Sequence, residues 1–230
     1  MSDTGAGGVR GIVFDVNETL SNMAPLADRF EAVGAPRSLM ATWFVSVLRD
    51  GFALAAAGGS SPFASIARSQ LGILLNGHDL SVPLDAAASA ILDGLSGLDV
   101  HPDVPPALRA LAERDVAVMT LSNGAATVAE TLLGRAGISD TVDAFLSVEG
   151  AARWKPSPDA YDVAVRHTGL PAQQLLLVAV HPWDVHGAST AGLRTAWLNR
   201  EDGPYPDFFR QPDHVLTDLR QIVELVDGTH

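Results

Sequence analysis

Residues Gly11 to Leu20 read GIVFDVNETL. The apolar run Gly11-Ile12-Val13-Phe14 has the length of a strand buried on both faces, and it stops at an acid, Asp15, where a polar loop begins. Such strands belong to parallel sheets, and open parallel sheets bind their ligands beyond the carboxyl ends of the strands. Asp15 therefore stands where a chemically active carboxylate belongs. A plain turn-capping acid satisfies the same local pattern, so the choice rests on what the other strands deliver.

Working outward, the second half of the chain alternates strand and helix. A helix over Val104 to Arg114 leads to the strand Val116 to Leu121 and the turn Ser122-Asn123-Gly124. A helix over Ala126 to Ala136 ends at Gly137, and a short strand near Phe145 to Val148 precedes Lys155. A helix from Pro158 to about His167, the apolar strand Leu175 to Val180, a helix closing at Gly192 and a strand over Thr195 to Leu198 follow. A last strand at His214 to Leu216 and a helix over Leu219 to Val226 complete the series, which implies an α/β fold with a doubly wound, mostly parallel sheet. Between Pro25 and Leu98 the period is helical throughout: Leu26, Phe30 and Val33, then Leu39, Trp43 and Val47, then Phe63, Ile66, Leu71 and Leu74. The expected organisation is a core of residues 9–20 and 99–230 with an all-helical cap inserted over 21–98. Residues 1 to 8 read as a frayed arm.

Composition narrows the function. With 47% hydrophobic and 18% charged residues the chain is globular, and a net charge of −12 with only 15 Lys and Arg argues against a nucleic-acid partner. No cysteine is present, which excludes disulfides, thiolate nucleophiles and Cys-ligated zinc. Gly, Pro or charge interrupts every apolar run, so no membrane span is expected. Without an export signal at the N-terminus the expected location is cytoplasmic. The apolar cap helices either pack on one another or bury into a homodimer.

Four polar stretches fall at the carboxyl ends of the expected parallel strands: Asp15 to Thr19, Ser122-Asn123, Lys155, and His181 to Asp184. Each alone reads as an ordinary turn or surface charge. Their occurrence in order at one sheet edge reads as an active site.

These stretches resemble the haloacid dehalogenase superfamily: FDVNETL its nucleophile motif, TLSNG its second, RWKPSPDAY its lysine motif and VAVHPWDVHGA its acidic fourth. The resemblance spans nearly the whole chain, helical cap included, and implies a Rossmann-like fold and a covalent aspartyl intermediate on Asp15. Superfamily phosphatases carry a second acid two residues after the nucleophile and bind Mg²⁺ through the fourth motif. Here those positions hold Asn17 and Ala179, which leaves a hard-cation site short of charge and a leaving alkoxide without a proton donor. Halide departure requires neither. The chain is most similar to the (S)-2-haloacid dehalogenases, hydrolases that need no metal or cofactor and convert a small haloacid to the 2-hydroxy acid with inversion. By that resemblance Lys155 stabilises the Asp15 carboxylate, Thr19 hydrogen-bonds it, and Ser122 and nearby N–H groups hold the substrate carboxylate; Tyr161, six residues past Lys155, either orders that lysine or packs as a half-buried core residue. Asp184 either holds Lys155 and the hydrolytic water or caps its helix.

The family's halide-cradling Arg falls near Ala41, so the halide site must be rebuilt, with Trp43, Arg49 and Asn123 as candidates. Trp43 also reads as core and Arg49 as a solvated charge. His181 replaces a family Asn beside the expected ester, and Glu18 lies in the nucleophile loop, which suggests a dyad: Glu18 orients His181, and His181 takes a proton from water. Competing readings are an Mg²⁺-dependent phosphatase on a small phosphorylated metabolite and a catalytically silent binding protein. His101, His167, His186, His214 and His230 show no partner pattern, and most of them are expected at the surface.

Overall fold

The computed structural model describes residues 8–228; nearly all of the expected N-terminal arm, and His230, lie outside that range. Strands β1 (Gly11–Phe14), β2 (Ala117–Ser122), β3 (Ala144–Ser147), β4 (Leu175–Ala179), β5 (Arg194–Leu198) and β6 (His214–Leu216) form one sheet in the order β3-β2-β1-β4-β5-β6, and every pairing is parallel. From β1 the chain winds outward through β2 and β3, then returns to β4 on the other flank. The direction of winding thus reverses between β1 and β4, and the crevice beyond their carboxyl ends is where such a sheet binds ligands.

Alternation along the strands divides the core into two faces. Ile12 and Phe14 face one side with Val118, Leu176 and Val178, covered by α5 (Val104–Leu111), α6 (Ala126–Arg135) and α9 (Ile222–Asp227). Val13 faces the other with Met119, Leu175 and Leu177, covered by α7 (Pro158–Thr168) and α8 (Pro182–Thr190). Local signals end these elements where the sequence asks. Gly169 closes α7 at φ 66, a left-handed cap that glycine adopts without a Cβ penalty, and Pro182 opens α8 in its first turn.

Four helices lie between β1 and α5: α1 (Leu26–Ala32), α2 (Leu39–Ala56), α3 (Phe63–Leu75) and α4 (Leu84–Ser96). The two chain crossings into this block are clamped side by side. Ser21 and Val100 form an antiparallel bridge, Asn22 N–H donates to the Asp99 carbonyl at 2.8 Å, and His101 N–H donates to the Leu20 carbonyl at 2.9 Å. Contrary to expectation, one helix, α2, is long and apolar enough for a membrane span by length and composition. Its apolar face is occupied inside the protein, where Trp43, Phe44 and Val47 are buried.

Candidate active site

Asp15 follows β1, and its N–H continues the sheet ladder to the Val178 carbonyl at 3.0 Å, which fixes the start of the polar loop. Each of its carboxylate oxygens has donors. Lys155 Nζ donates to Oδ1 at 2.7 Å, Thr19 Oγ1 donates to Oδ2 at 2.7 Å, and His181 Nδ1 lies 3.2 Å from Oδ2. Thr19 is tied in turn to the end of β4, since its hydroxyl accepts the Val180 N–H at 3.1 Å. The nucleophile loop and the fourth-motif loop are therefore held as one unit across the crevice.

Lys155 is fully buried and lies between two carboxylates, donating also to Asp184 Oδ2 at 2.7 Å. Burial works against its charge, but Asp15 and Asp184 outweigh it and raise the ammonium's pKa. Asp184 sits in the first turn of α8 and caps nothing with its side chain. Its second oxygen accepts from Tyr161 Oη at 2.6 Å. Tyr161 thus reaches Lys155 only through Asp184. Burial, then the neighbouring carboxylate, keep its phenol protonated well beyond the ordinary range.

For Asp15, burial alone would raise the pKa. Lys155 and the hydrogen bond from His181 overcome it and hold the carboxylate well below the usual range, so it is a constant anion near neutrality. His181 lies between β4 and α8, with its side chain 12% exposed. One ring nitrogen faces Asp15 and the other, Nε2, lies 2.8 Å from Glu18 Oε2. Burial would lower its pKa, but the hydrogen bonds to Asp15 and Glu18 push it up to about 9. Glu18 itself sits at φ 61, in the left-handed region that glycine takes freely and a glutamate takes at a cost.

Ser122 and Asn123 end β2 and are buried beside this cluster. The Ser122 hydroxyl accepts the Gly124 N–H at 2.9 Å, while Asn123 Oδ1 accepts the Lys155 N–H at 2.9 Å. Asn123 therefore fixes the lysine's backbone. Asn17 is half-buried in the nucleophile loop. Helix α2 supplies an aromatic wall: Phe44 meets His181 at 6.3 Å between ring centroids, His181 stacks on Trp183 at 5.0 Å, and Phe52 meets Trp183 edge-on at 4.9 Å. Among the described residues, no group of three or more His, Asp or Glu side chains is disposed to hold a metal ion.

Two substrate-side candidates stand elsewhere. Trp43 is fully buried among the inserted helices, where its indole N–H donates to the Ala67 carbonyl at 2.9 Å; its neighbour Phe44 takes the crevice-facing position. Arg49 is 65% exposed and paired with Asp50. Successive helical residues point about 100° apart, so only one of Trp43 and Phe44 can face the crevice. Of the histidines without a partner pattern, His101 is half-buried, with Nε2 3.1 Å from the Glu18 carbonyl. His186 likewise has a partner, accepting the Arg210 N–H at 3.1 Å. Sequence reading passed over Arg200, which donates to the Thr19 carbonyl and to Asp103 Oδ2, both at 2.8 Å.

A buried aspartate at the end of β1, a lysine after β3 and a second aspartate after β4, on a sheet of this order, define a class. The haloacid dehalogenase-like hydrolase family matches residues 9–192, and the chain belongs to it. Within that class it is similar to the (S)-2-haloacid dehalogenase of Pseudomonas sp. (strain YL), 28% identical over 222 residues that cover 95% of each chain. The solved L-2-haloacid dehalogenase RSc1362 matches with a TM-score of 0.87 at 27% identity, over 96% of this chain and 99% of that one. The L-2-haloacid dehalogenase of Xanthobacter autotrophicus with chloropropionic acid covalently bound matches with a TM-score of 0.84 at 25% identity, over 96% of this chain and all of that one.

Proposed function

We propose that this protein is a hydrolytic dehalogenase that converts short (S)-2-haloalkanoic acids, or haloacetate, to 2-hydroxyalkanoic acids through a covalent ester on Asp15. The observation that carries this reading is the Asp15 carboxylate held anionic between Lys155 and His181, with Glu18 on the far nitrogen of His181. In the first step an Asp15 oxygen attacks the halogen-bearing carbon, and the halide leaves with the bonding electron pair. No proton is required. The loop Ser122 to Ala125 opens α6, whose first-turn N–H groups and helix dipole favour the substrate carboxylate there.

In the second step water attacks the ester carbonyl and gives a proton to His181 Nδ1. The tetrahedral intermediate expels the 2-hydroxy acid's alkoxide, which takes that proton back, and the other water proton, left on the Asp15 carboxyl, passes to His181 and restores the resting ion pair. One displacement at carbon followed by hydrolysis at the carbonyl inverts the carbon centre once. Esterification also prepares the base. It replaces the anion that hydrogen-bonds Nδ1 with a neutral ester and so removes the largest upward influence on the His181 pKa, and the imidazolium of the free site releases its Nδ1 proton to solvent before water attacks. Glu18 keeps Nε2 as the N–H, which leaves Nδ1 to accept the proton.

The donor set does not fit Mg²⁺. Ala179 stands where an acid would bind it, Asn17 stands where a phosphatase keeps its acid/base, and Asp15 and Asp184 already share the Lys155 ammonium. The four inserted helices read as a cap domain that closes over the crevice through Phe44 and Phe52. The exposed Val45, Leu54 and Ile73 on α2 and α3 suit burial in a homodimer, which sedimentation velocity tests. The enzymatic test is a screen for halide release from chloro-, bromo- and fluoroacetate and both 2-chloropropionate enantiomers, with and without EDTA. Release from the (S) enantiomer, unchanged by EDTA, is expected. Mg²⁺-dependent phosphate release from an aryl phosphate, with no halide released, would replace this reading with a phosphatase.

A further inference from the structure

Glu18 is the one strained residue of the nucleophile loop, and its conformation is held from outside that loop. Its N–H donates to Ser21 Oγ at 3.3 Å, its carbonyl faces His101 Nε2 at 3.1 Å, and the next carbonyl, of Thr19, accepts from Arg200 Nη2 at 2.8 Å. Arg200 is itself anchored. Its Nη1 pairs with Asp103 Oδ2 at 2.8 Å, and that oxygen also accepts the Leu219 N–H at 2.8 Å. His101 follows the return crossing from the inserted helices, and Arg200 follows β5, so two distant segments fasten consecutive peptide groups of one turn. Both line a cavity of about 790 Å³ that also touches Glu18 and His181 and is not bordered by Asp15 or Ser122.

We propose that His101 and Arg200 are positioning residues that lock the Glu18–Thr19 turn and so aim the Glu18 carboxylate at His181. The inference rests on the proposed Glu18–His181 dyad. A backbone carbonyl clamp suits this task because a non-glycine residue at positive φ relaxes toward the ordinary regions unless its surroundings over-determine it. Relaxation at Glu18 would rotate its side chain away from Nε2. The two clamps act differently. The His101 side chain holds the carbonyl of Glu18, which serves ester hydrolysis, while the Arg200 side chain holds that of Thr19, whose hydroxyl also fixes the nucleophile.

The test separates the half-reactions with bromoacetate as probe, following the halide burst by rapid quench and the decay of the protein-bound ester by intact mass. His101→Leu is expected to keep a stoichiometric burst, within about twofold in rate, and to slow ester decay about tenfold to a hundredfold. His101→Gln, which retains an N–H donor, recovers most of that loss. Arg200→Met slows both phases. In a Glu18→Gln background His101→Leu adds little, because the group it positions is already gone. The burst amplitude counts competent sites, so a misfolded variant is recognised directly. Unchanged ester decay in His101→Leu, or full additivity with Glu18→Gln, would overturn the positioning role. If Glu18→Gln alone leaves ester decay untouched, the dyad fails, and any slowing by His101→Leu then arises by another route, which also overturns it.

Discussion

Replacing Glu18 by glycine should separate stability from turnover. At φ 61 the native side chain sits in a region that costs an L-residue about 1–2 kcal/mol and costs glycine nothing. Against that gain, glycine widens the unfolded ensemble by about 0.4–1 kcal/mol. The lost pair with His181 contributes at most about 1 kcal/mol, because the Glu18 side chain is 41% exposed. These contributions nearly cancel. The net change lies between about 1.5 kcal/mol of gain and about 1 kcal/mol of loss, which moves the melting temperature of a chain this size by no more than about 6 °C. Turnover behaves differently. A positioned general base contributes about 10²–10⁴-fold, so losing the carboxylate that orients His181 should forfeit part of that and slow ester hydrolysis roughly tenfold to a hundredfold. Calorimetry and steady-state halide release measure the two quantities on one sample. A variant that turns over like the parent, or one whose melting temperature collapses, would refute the reasoning, since either result means Glu18 serves the fold rather than the chemistry.

Other perturbations have defined outcomes. His181→Gln should give one equivalent of halide per site and then stall, with ester decay slowed about 10²–10⁴-fold, the usual contribution of a general base; intact mass shows the trapped carboxymethyl group. His181 is raised from 6.5 to about 9 in the folded protein, so its stabilisation is fully present below pH 6.5 and is lost as pH rises through 9. The loss is on the order of 3 kcal/mol; urea melts across that window should show it for the parent and a flatter profile for His181→Gln. Asp15 has the opposite sign: its depressed pKa contributes stability above the ordinary carboxylate range that is lost in acid, and Asp15→Asn should reduce that acid sensitivity. A Cβ on Gly187 would lie 2.5 Å from Tyr161 Oη and 2.6 Å from Pro156 Cβ. Gly187→Ala should therefore displace the Asp184–Lys155 pairing and slow the halide burst, whereas Gly134→Ala, with open space around it, should not.

Asp15, Lys155 and Asp184 were legible because a parallel sheet gathers its strand ends at one edge, so order along the chain became proximity in space. Strand buriedness and the helical period of the insertion were equally plain. What stayed hidden depends on direction rather than order. Trp43 and Phe44 are neighbours with similar chemistry, and only packing against α3 decides which one turns to the crevice. Tyr161 lay at the right distance from Lys155 in sequence, yet its hydroxyl meets Asp184 because α8 brings that carboxylate between them. The left-handed turn at Glu18 leaves no local trace, since a glutamate does not advertise positive φ. Its supports come from 83 residues away at His101 and, for Thr19, 181 residues away at Arg200.

In the covalent mechanism an oxygen of Asp15 becomes the hydroxyl oxygen of the product. A single turnover in heavy-oxygen water, with enzyme in excess over (S)-2-chloropropionate, tests it most directly. Unlabelled lactate together with label in the peptide carrying Asp15 is the predicted result. Labelled lactate with an unlabelled peptide would mean that water attacks the substrate carbon itself, and would contradict the covalent mechanism.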